Sequence, residues 1–143
     1  PGEDPDEERV RRSFRRYAGA EDACYLVAEV DGEVVGFALC RWDDEAQIPA
    51  VGDGDVYLQA LYVAPEHWEE GVGTALLRAV GERLPSWARH VVLEAFSENE
   101  RAAAFYRARG FEPVGENSFE HRGTAYPTTV WRLPVAALRA PAE

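Results

Sequence analysis

The stretch from Asp55 to Leu77, DVYLQALYVAPEHWEEGVGTALL, constrains this chain more than any other. Its β-branched and aromatic run ends at Val63, and Ala64-Pro65 follows at once. A short polar loop then leads Gly71-Val72-Gly73 directly into an amphipathic helix. Strand, loop, Gly-x-Gly and helix N-terminus together make an anion site. The glycines let the backbone approach a ligand, and the unpaired first-turn N–H groups point at it with the helix dipole behind them. A glycine pair ahead of a helix also serves as a plain turn, and this stretch alone leaves both uses open.

A second segment runs from Val91 to Phe111, VVLEAFSENERAAAFYRARGF. With it, the chain resembles the GNAT superfamily of N-acetyltransferases. LYVAPEHWEEGVGTALL is similar to that family's acetyl-CoA pyrophosphate motif, V-x-P-x-x-(Q/R)-x-x-G-x-(G/A) followed by a helix. LEAFSENERAAAFYRARGF resembles its second signature, L-E-(V)-x-x-x-N-x-x-A-x-x-(F/L)-Y-x-x-x-G-F, with similarity to the ribosomal-protein N-terminal alanine acetyltransferases. Order and spacing match, and from Ala23 onward so does the pattern of elements. One departure stands out: Trp68 occupies the usual Gln/Arg position, and Glu69 that of the glycine that often follows.

The elements can be read from the residues. Asp4-Pro5-Asp6-Glu7 opens a helix whose apolar face is Val10, Phe14 and Tyr17. Tyr25–Val30 and Glu33–Leu39 form a hairpin about Asp31-Gly32. A two-residue turn there sets Cys24 opposite Leu39 and Cys40 on the other face, leaving two free thiols; a bulge at Gly36 would shift this register by one. Residues 43–54 read as loop, 56–63 as strand and 72–84 as helix, with Pro85 near its end. His90–Phe96 is apolar nearly throughout, as in a strand covered on both faces. Ser97-x-x-Glu100 reads as a capping box for a helix running to Arg109 and ending at Gly110. Strands follow at Phe111–Gly115 or longer and at Thr128–Leu133, with residues 116–127 as a loop or hairpin tip. The order is that of one α/β domain over residues 1–143. The resemblance implies a GNAT-like mixed, mostly antiparallel central sheet with helices on both faces, the family's first strand being absent from this chain.

Composition narrows the function classes. All 15 basic residues are Arg, against 26 Asp plus Glu, for a formal charge of −11. A basic nucleic-acid stripe is therefore absent, and an anionic membrane surface is an unfavourable partner. Such a surface suits a salt-loving source, or else a GC-rich genome that encodes Arg for Lys. No apolar run reaches the ~20 residues of a membrane span. No charged-then-apolar leader is expected ahead of the fold, and Pro1 in place of an initiator Met reads as processing or trimming. With only Cys24 and Cys40 as thiols, a reducing cytoplasm is the expected compartment. His67, His90 and His121 are scattered, so no metal is expected.

Acetyl transfer needs a held cofactor, a neutral amine, a stabilised oxyanion and a proton for the departing thiolate. The amides of Gly71, Val72, Gly73 and Thr74 are the candidates for the pyrophosphate of acetyl-CoA, with Glu69 and Glu70 in the same loop. By resemblance, Leu61, Tyr62 and Val63 pair with the pantetheine arm through their backbone; their side chains are equally core residues. Glu94, acidic inside an apolar strand, matches the proposed proton acceptor of the ribosomal-protein enzymes, and burial would raise its pKa toward a useful range. It is otherwise a solvent-facing residue at a strand end. Tyr106 matches the family tyrosine that protonates the coenzyme A thiolate, or is simply a helix-face aromatic beside Phe105. Asn99 either bonds the pantetheine or caps the helix. Arg101, Arg107 and Arg109 are the nearest cations to the cofactor groove. Trp68 either stacks near the cofactor or packs its loop against the helix. The resemblance implies direct attack by a primary amine, on a small molecule or a protein N-terminus, in a monomer or homodimer. A non-catalytic acyl-CoA-binding domain with a degraded cofactor loop is the alternative.

Overall fold

The structure, a computed structural model, describes residues 22–42 and 54–139. Strand β1 (Ala23–Val30) turns into β2 (Glu33–Arg41), and β3 (Asp55–Val63) leads through a single 3-10 turn at Pro65–His67 to helix α1 (Val72–Arg83). Then come β4 (His90–Phe96), α2 (Glu100–Ala108), β5 (Glu112–His121), β6 (Thr124–Pro134) and the short α3 (Val135–Arg139). The strands form one sheet in the order β1-β2-β3-β4-β6-β5. Among the described strands only β3 and β4 run parallel. The sheet is thus mixed and mostly antiparallel, as expected. The expected N-terminal helix and the loop at 43–53 lie outside the described residues. So does the question of a preceding strand.

Alternation along the strands separates two apolar faces. One carries Ala38, Cys40, Val56, Leu58, Val91, Leu93, Trp131 and Leu133, all buried against Leu76, Leu77 and Val80 of α1. Each valine or leucine among them contributes roughly 1.5–3 kcal/mol by leaving water. Phe105 and Tyr106 of α2 and Leu138 of α3 pack on the same cluster. All the described helices therefore sit on this face, and helices on the other face would have to come from outside the described residues. Arg139 closes the end of α1 by donating from Nε to Gly81 O (2.9 Å) and from Nη2 to Leu84 O (3.0 Å), where helix carbonyls lack partners.

One local reading is corrected and two open ones are decided. Ser97 does not cap α2: Asn99 does, its Oδ1 accepting from the Ala102 amide at 3.0 Å, while Ser97 Oγ bonds Thr129 Oγ1 at 2.9 Å. Either residue can cap, but Asn99 alone stands next to the first helical residue. Of the two readings of residues 116–127, loop or hairpin tip, the hairpin is the one that forms. These residues complete two long strands about a turn at Arg122-Gly123, with φ of 51° and 81°. That turn has the same backbone as Asp31-Gly32 (52° and 83°), but an arginine at its first position hides it from a reader looking for Asn-Gly or Asp-Gly. The β1–β2 hairpin register takes the one-residue shift that a bulge near Gly36 would give. An irregularity at Ala28/Glu29 makes Val35 an extra residue, so Cys24 pairs with Cys40 rather than Leu39. Both are free thiols on one buried patch, and burial raises the pKa of each.

The opposite face buries Val35, Phe37, Leu39, Val92, Val130 and two polar residues, Arg41 and Thr128. Thr128 Oγ1 finds no hydrogen-bond partner among the described residues. An unsatisfied buried hydroxyl costs about 1–3 kcal/mol, and valine keeps the branched shape without it. Thr128→Val is expected to stabilise the domain by about 1 kcal/mol. Urea unfolding would show a higher midpoint at unchanged m, whereas a lower midpoint would mean the hydroxyl is satisfied.

Candidate active site

The site begins where the parallel pair comes apart. β3 and β4 are in register only at Asp55–His90, Val56–Val91 and Tyr57–Val92. Beyond this, β3 stays with β2 and β4 with β6. A bulge drives the separation: Leu39 pairs with Ala60 and Cys40 with Leu58, so Gln59 is an extra residue that bends β3 away. Gln59 Oε1 accepts from Nη1 of buried Arg41 at 3.1 Å, which pins the bulge.

The opening is a cavity of about 440 Å³ that passes between the two sheet faces. Leu58, Leu93 and Tyr106 line it from the helical side, and Phe37, Leu39 and Glu94 from the other. The structure thus brings Glu94 and Tyr106 to one cleft from opposite faces. Tyr106 packs on Phe105, Phe111 and Trp131, and burial pushes its phenol up to about 12. Glu94 is only half-buried, short of the burial expected for it, and its Oε1 accepts from Asn117 Nδ2 at 3.3 Å. Tyr57 shares its face: burial, then the Glu94 carboxylate, raises the Tyr57 phenol.

Only part of Leu61–Val63 offers its backbone to the cleft. The Ala64 amide donates to Val35 O at 2.8 Å, and strand alternation then turns Tyr62 toward β2 and Leu61 and Val63 toward the side β4 has vacated. Tyr62 therefore lines the cavity but does not present its backbone there. The Val63 carbonyl takes the Trp68 indole N–H at 2.8 Å, so Trp68 packs its loop down onto the strand end.

Next to this edge lies the start of α1. Gly71 has a φ of 85°, and no side chain caps the helix. Its first-turn amides, at Val72, Gly73 and Thr74, are the donors that a helix leaves without internal partners. A side chain at Gly73 would stand 3.0 Å from Phe105 Cζ, so glycine lets α2 close on this end. Arg109 donates to Thr74 Oγ1, and the Arg101 guanidinium stacks 3.8 Å from the Trp68 ring, 4.0 Å from a Glu69 oxygen. Arg107 instead lies over Trp131. Glu70 bonds His67 at 2.8 Å. Asn99 is used as a helix cap.

Sequence reasoning missed Gln59, Tyr57, Arg41 and Asn117. Gln59 carried a signal, being the one polar residue inside YLQALYV. The others depend on pairing across strands.

The profile of the Acetyltransferase (GNAT) family matches residues 1–111. This chain belongs to that family. It is 32% identical over 109 residues to the peptidyl-lysine N-acetyltransferase YiaC of Escherichia coli (strain K12), covering 76% of this chain and 62% of that protein. It is 35% identical over 100 residues to an aminoglycoside N(6')-acetyltransferase type 1 of Stenotrophomonas maltophilia, covering 66% and 63%. The chain thus spans less than two thirds of the length of these relatives. Among solved structures, nourseothricin acetyltransferase superposes with a TM-score of 0.69 at 28% identity, over 80% of this chain and 66% of that one. Among the described residues no helix is long and apolar enough to cross a membrane, and no group of three or more His, Cys, Asp or Glu is placed to hold a metal ion.

Proposed function

We propose that this chain transfers an acetyl group from acetyl-CoA to a primary amine by direct attack. The observation that carries the reading is the cleft through the sheet, with Tyr106 entering from the helical face and Glu94 from the other. The uncapped start of α1 suits a pyrophosphate, and the outward backbone of Leu61 and Val63 suits an extended arm laid along β3 as an added strand. Glu94 then takes a proton from the amine. The amine nitrogen bonds the thioester carbon, backbone N–H groups at the end of β3 stabilise the oxyanion, the carbon–sulfur bond breaks, and Tyr106 protonates the leaving sulfur. Both thiols are buried with raised pKa values and neither lines the cleft, which argues against a covalent acyl-cysteine.

One observation favours the rival, a non-catalytic acyl-CoA-binding domain: Trp68 occupies the Val63 carbonyl and so removes one acceptor from the open edge. The Val63 amide and both backbone groups of Leu61 still face that edge. Mixing the protein with acetyl-CoA and a panel of amines decides between the two. Thiol release that depends on an amine supports transfer; tight acetyl-CoA binding with no release on any amine supports the rival.

A further inference from the structure

The sheet face that carries Glu94 also exposes a row of aromatic rings. Phe96 is 49% exposed, Phe119 48% and Tyr126 40%. Phe96 meets the edges of both others, with centroids 5.9 Å and 6.1 Å apart, and His121 stacks on Phe119. Register fixes their side of the sheet. Phe96 pairs with Thr128, Thr128 with Asn117 and Tyr126 with Phe119, so all of them share a face with Glu94, two residues before Phe96. The Asn117–Glu94 hydrogen bond crosses this same face. The rings are thus continuous with the wall of the cleft, on the side away from Tyr106.

Three half-exposed aromatic residues in contact form an apolar patch on a chain of net charge −11, and such patches mark binding surfaces. The carboxylate at its inner end is complementary to an ammonium group. Dimensions select among amines. The rings span three strands, roughly 10 Å at ~4.8 Å per strand, on an open face that a small polar amine would not cover. An extended peptide advances ~3.3 Å per residue, so side chains one or two residues from its amine fall about as far from Glu94 as Phe96 does.

We infer that Phe96, Phe119 and Tyr126 form an acceptor subsite for a polypeptide amino terminus, the α-amine lying at Glu94 and a large apolar side chain of its second or third residue seated on the rings. This rests on the acetyl-transfer reading above.

The test uses short synthetic peptides with free amino termini, identical but for Phe or Ser at the second and third residues, together with spermidine and an aminoglycoside. Thiol release gives kcat/KM, and mass spectrometry locates the acetyl group. The protein is expected to favour the Phe peptides roughly tenfold or more, the worth of partly burying one large apolar side chain. Phe119→Ser and, separately, Tyr126→Ser should shrink that ratio severalfold. Val34→Ser, at an equally exposed position beside the β1–β2 turn, should keep it. Because the readout is a ratio within one preparation, loss of folded protein lowers both rates alike and does not imitate the effect. Equal rates on Phe and Ser peptides, acetyl found only on internal lysines, or turnover confined to spermidine or the aminoglycoside would overturn the subsite and leave acetyl transfer standing. Release with no amine at all would overturn both.

Discussion

Tyr106→Phe is expected to lower turnover about 10²-fold or more, the usual range for a positioned proton transfer, with acetyl-CoA affinity little changed. The ring is held by Phe105, Phe111 and Trp131, and phenylalanine keeps those contacts while removing only the hydroxyl and the proton it donates. With the phenol raised to about 12 by burial, it remains protonated well past pH 9, so the wild-type rate should show no alkaline loss from this group below about pH 11. Glu94→Gln should cost a similar factor and weigh most at low pH, where the amine is an ammonium and needs a base. Its effect should shrink as rising pH frees the amine without help. Stopped-flow thiol release across a pH series measures both. Near-normal turnover in both variants would remove these residues from the mechanism.

The double change Glu69→Gly with Glu70→Arg is expected to tighten acetyl-CoA binding at low salt by roughly tenfold or more, since each charge nearby is worth about 1 kcal/mol in water at 4 Å. Acetyl-CoA carries roughly four negative charges, as three phosphate groups would. Glu66, Glu69 and Glu70 stand in the loop that would receive it, opposed by Arg101 and Arg109. The contacts these carboxylates make, Glu69 with Arg101 and Glu70 with His67, are exposed and therefore weak. At ~1 M salt the screening length falls to ~3 Å, so wild-type affinity should hold or rise with salt and the variant's should change less. A separate gain, in stability and not in affinity, comes from the backbone. Glu69 has a φ of 69°, where a non-glycine residue costs roughly 1–2 kcal/mol, so glycine also relieves strain in the loop. Calorimetric titrations of both proteins across a salt series would decide it. Wild-type affinity that drops steeply with salt would mean the arginines dominate the site.

Much of this architecture was legible because local rules and tertiary demands agree. The apolar run His90–Phe96 became a strand with those bounds, and the Asp31-Gly32 turn closed the expected hairpin. Gly71-Val72-Gly73 opened a helix with an uncapped, left-handed first glycine. Where rules compete locally, the sequence reading slipped. Ser97 and Asn99 are both good caps, and choosing between them takes the path of the chain out of β4. Arg122-Gly123 makes the same turn as Asp31-Gly32 without its usual residues, so the ends of two long strands read as either a loop or a hairpin tip.

By itself the sequence determined most of the described elements and the glycine-marked helix start, and its two motifs pointed to the family and nominated Glu94 and Tyr106 as candidates. Each of these is written in periodicity or spacing within a segment. Only the tertiary structure decided that β3 and β4 part after Tyr57–Val92, because one unpaired residue at Gln59 has meaning only against the strand beside it. It also decided that Glu94 and Tyr106 reach one cleft from opposite faces, and that Phe96, Phe119 and Tyr126 meet. Register is a relation between strands distant in the chain: a shift of one residue, as at Cys24 and Cys40, sends every side chain beyond it to the other face.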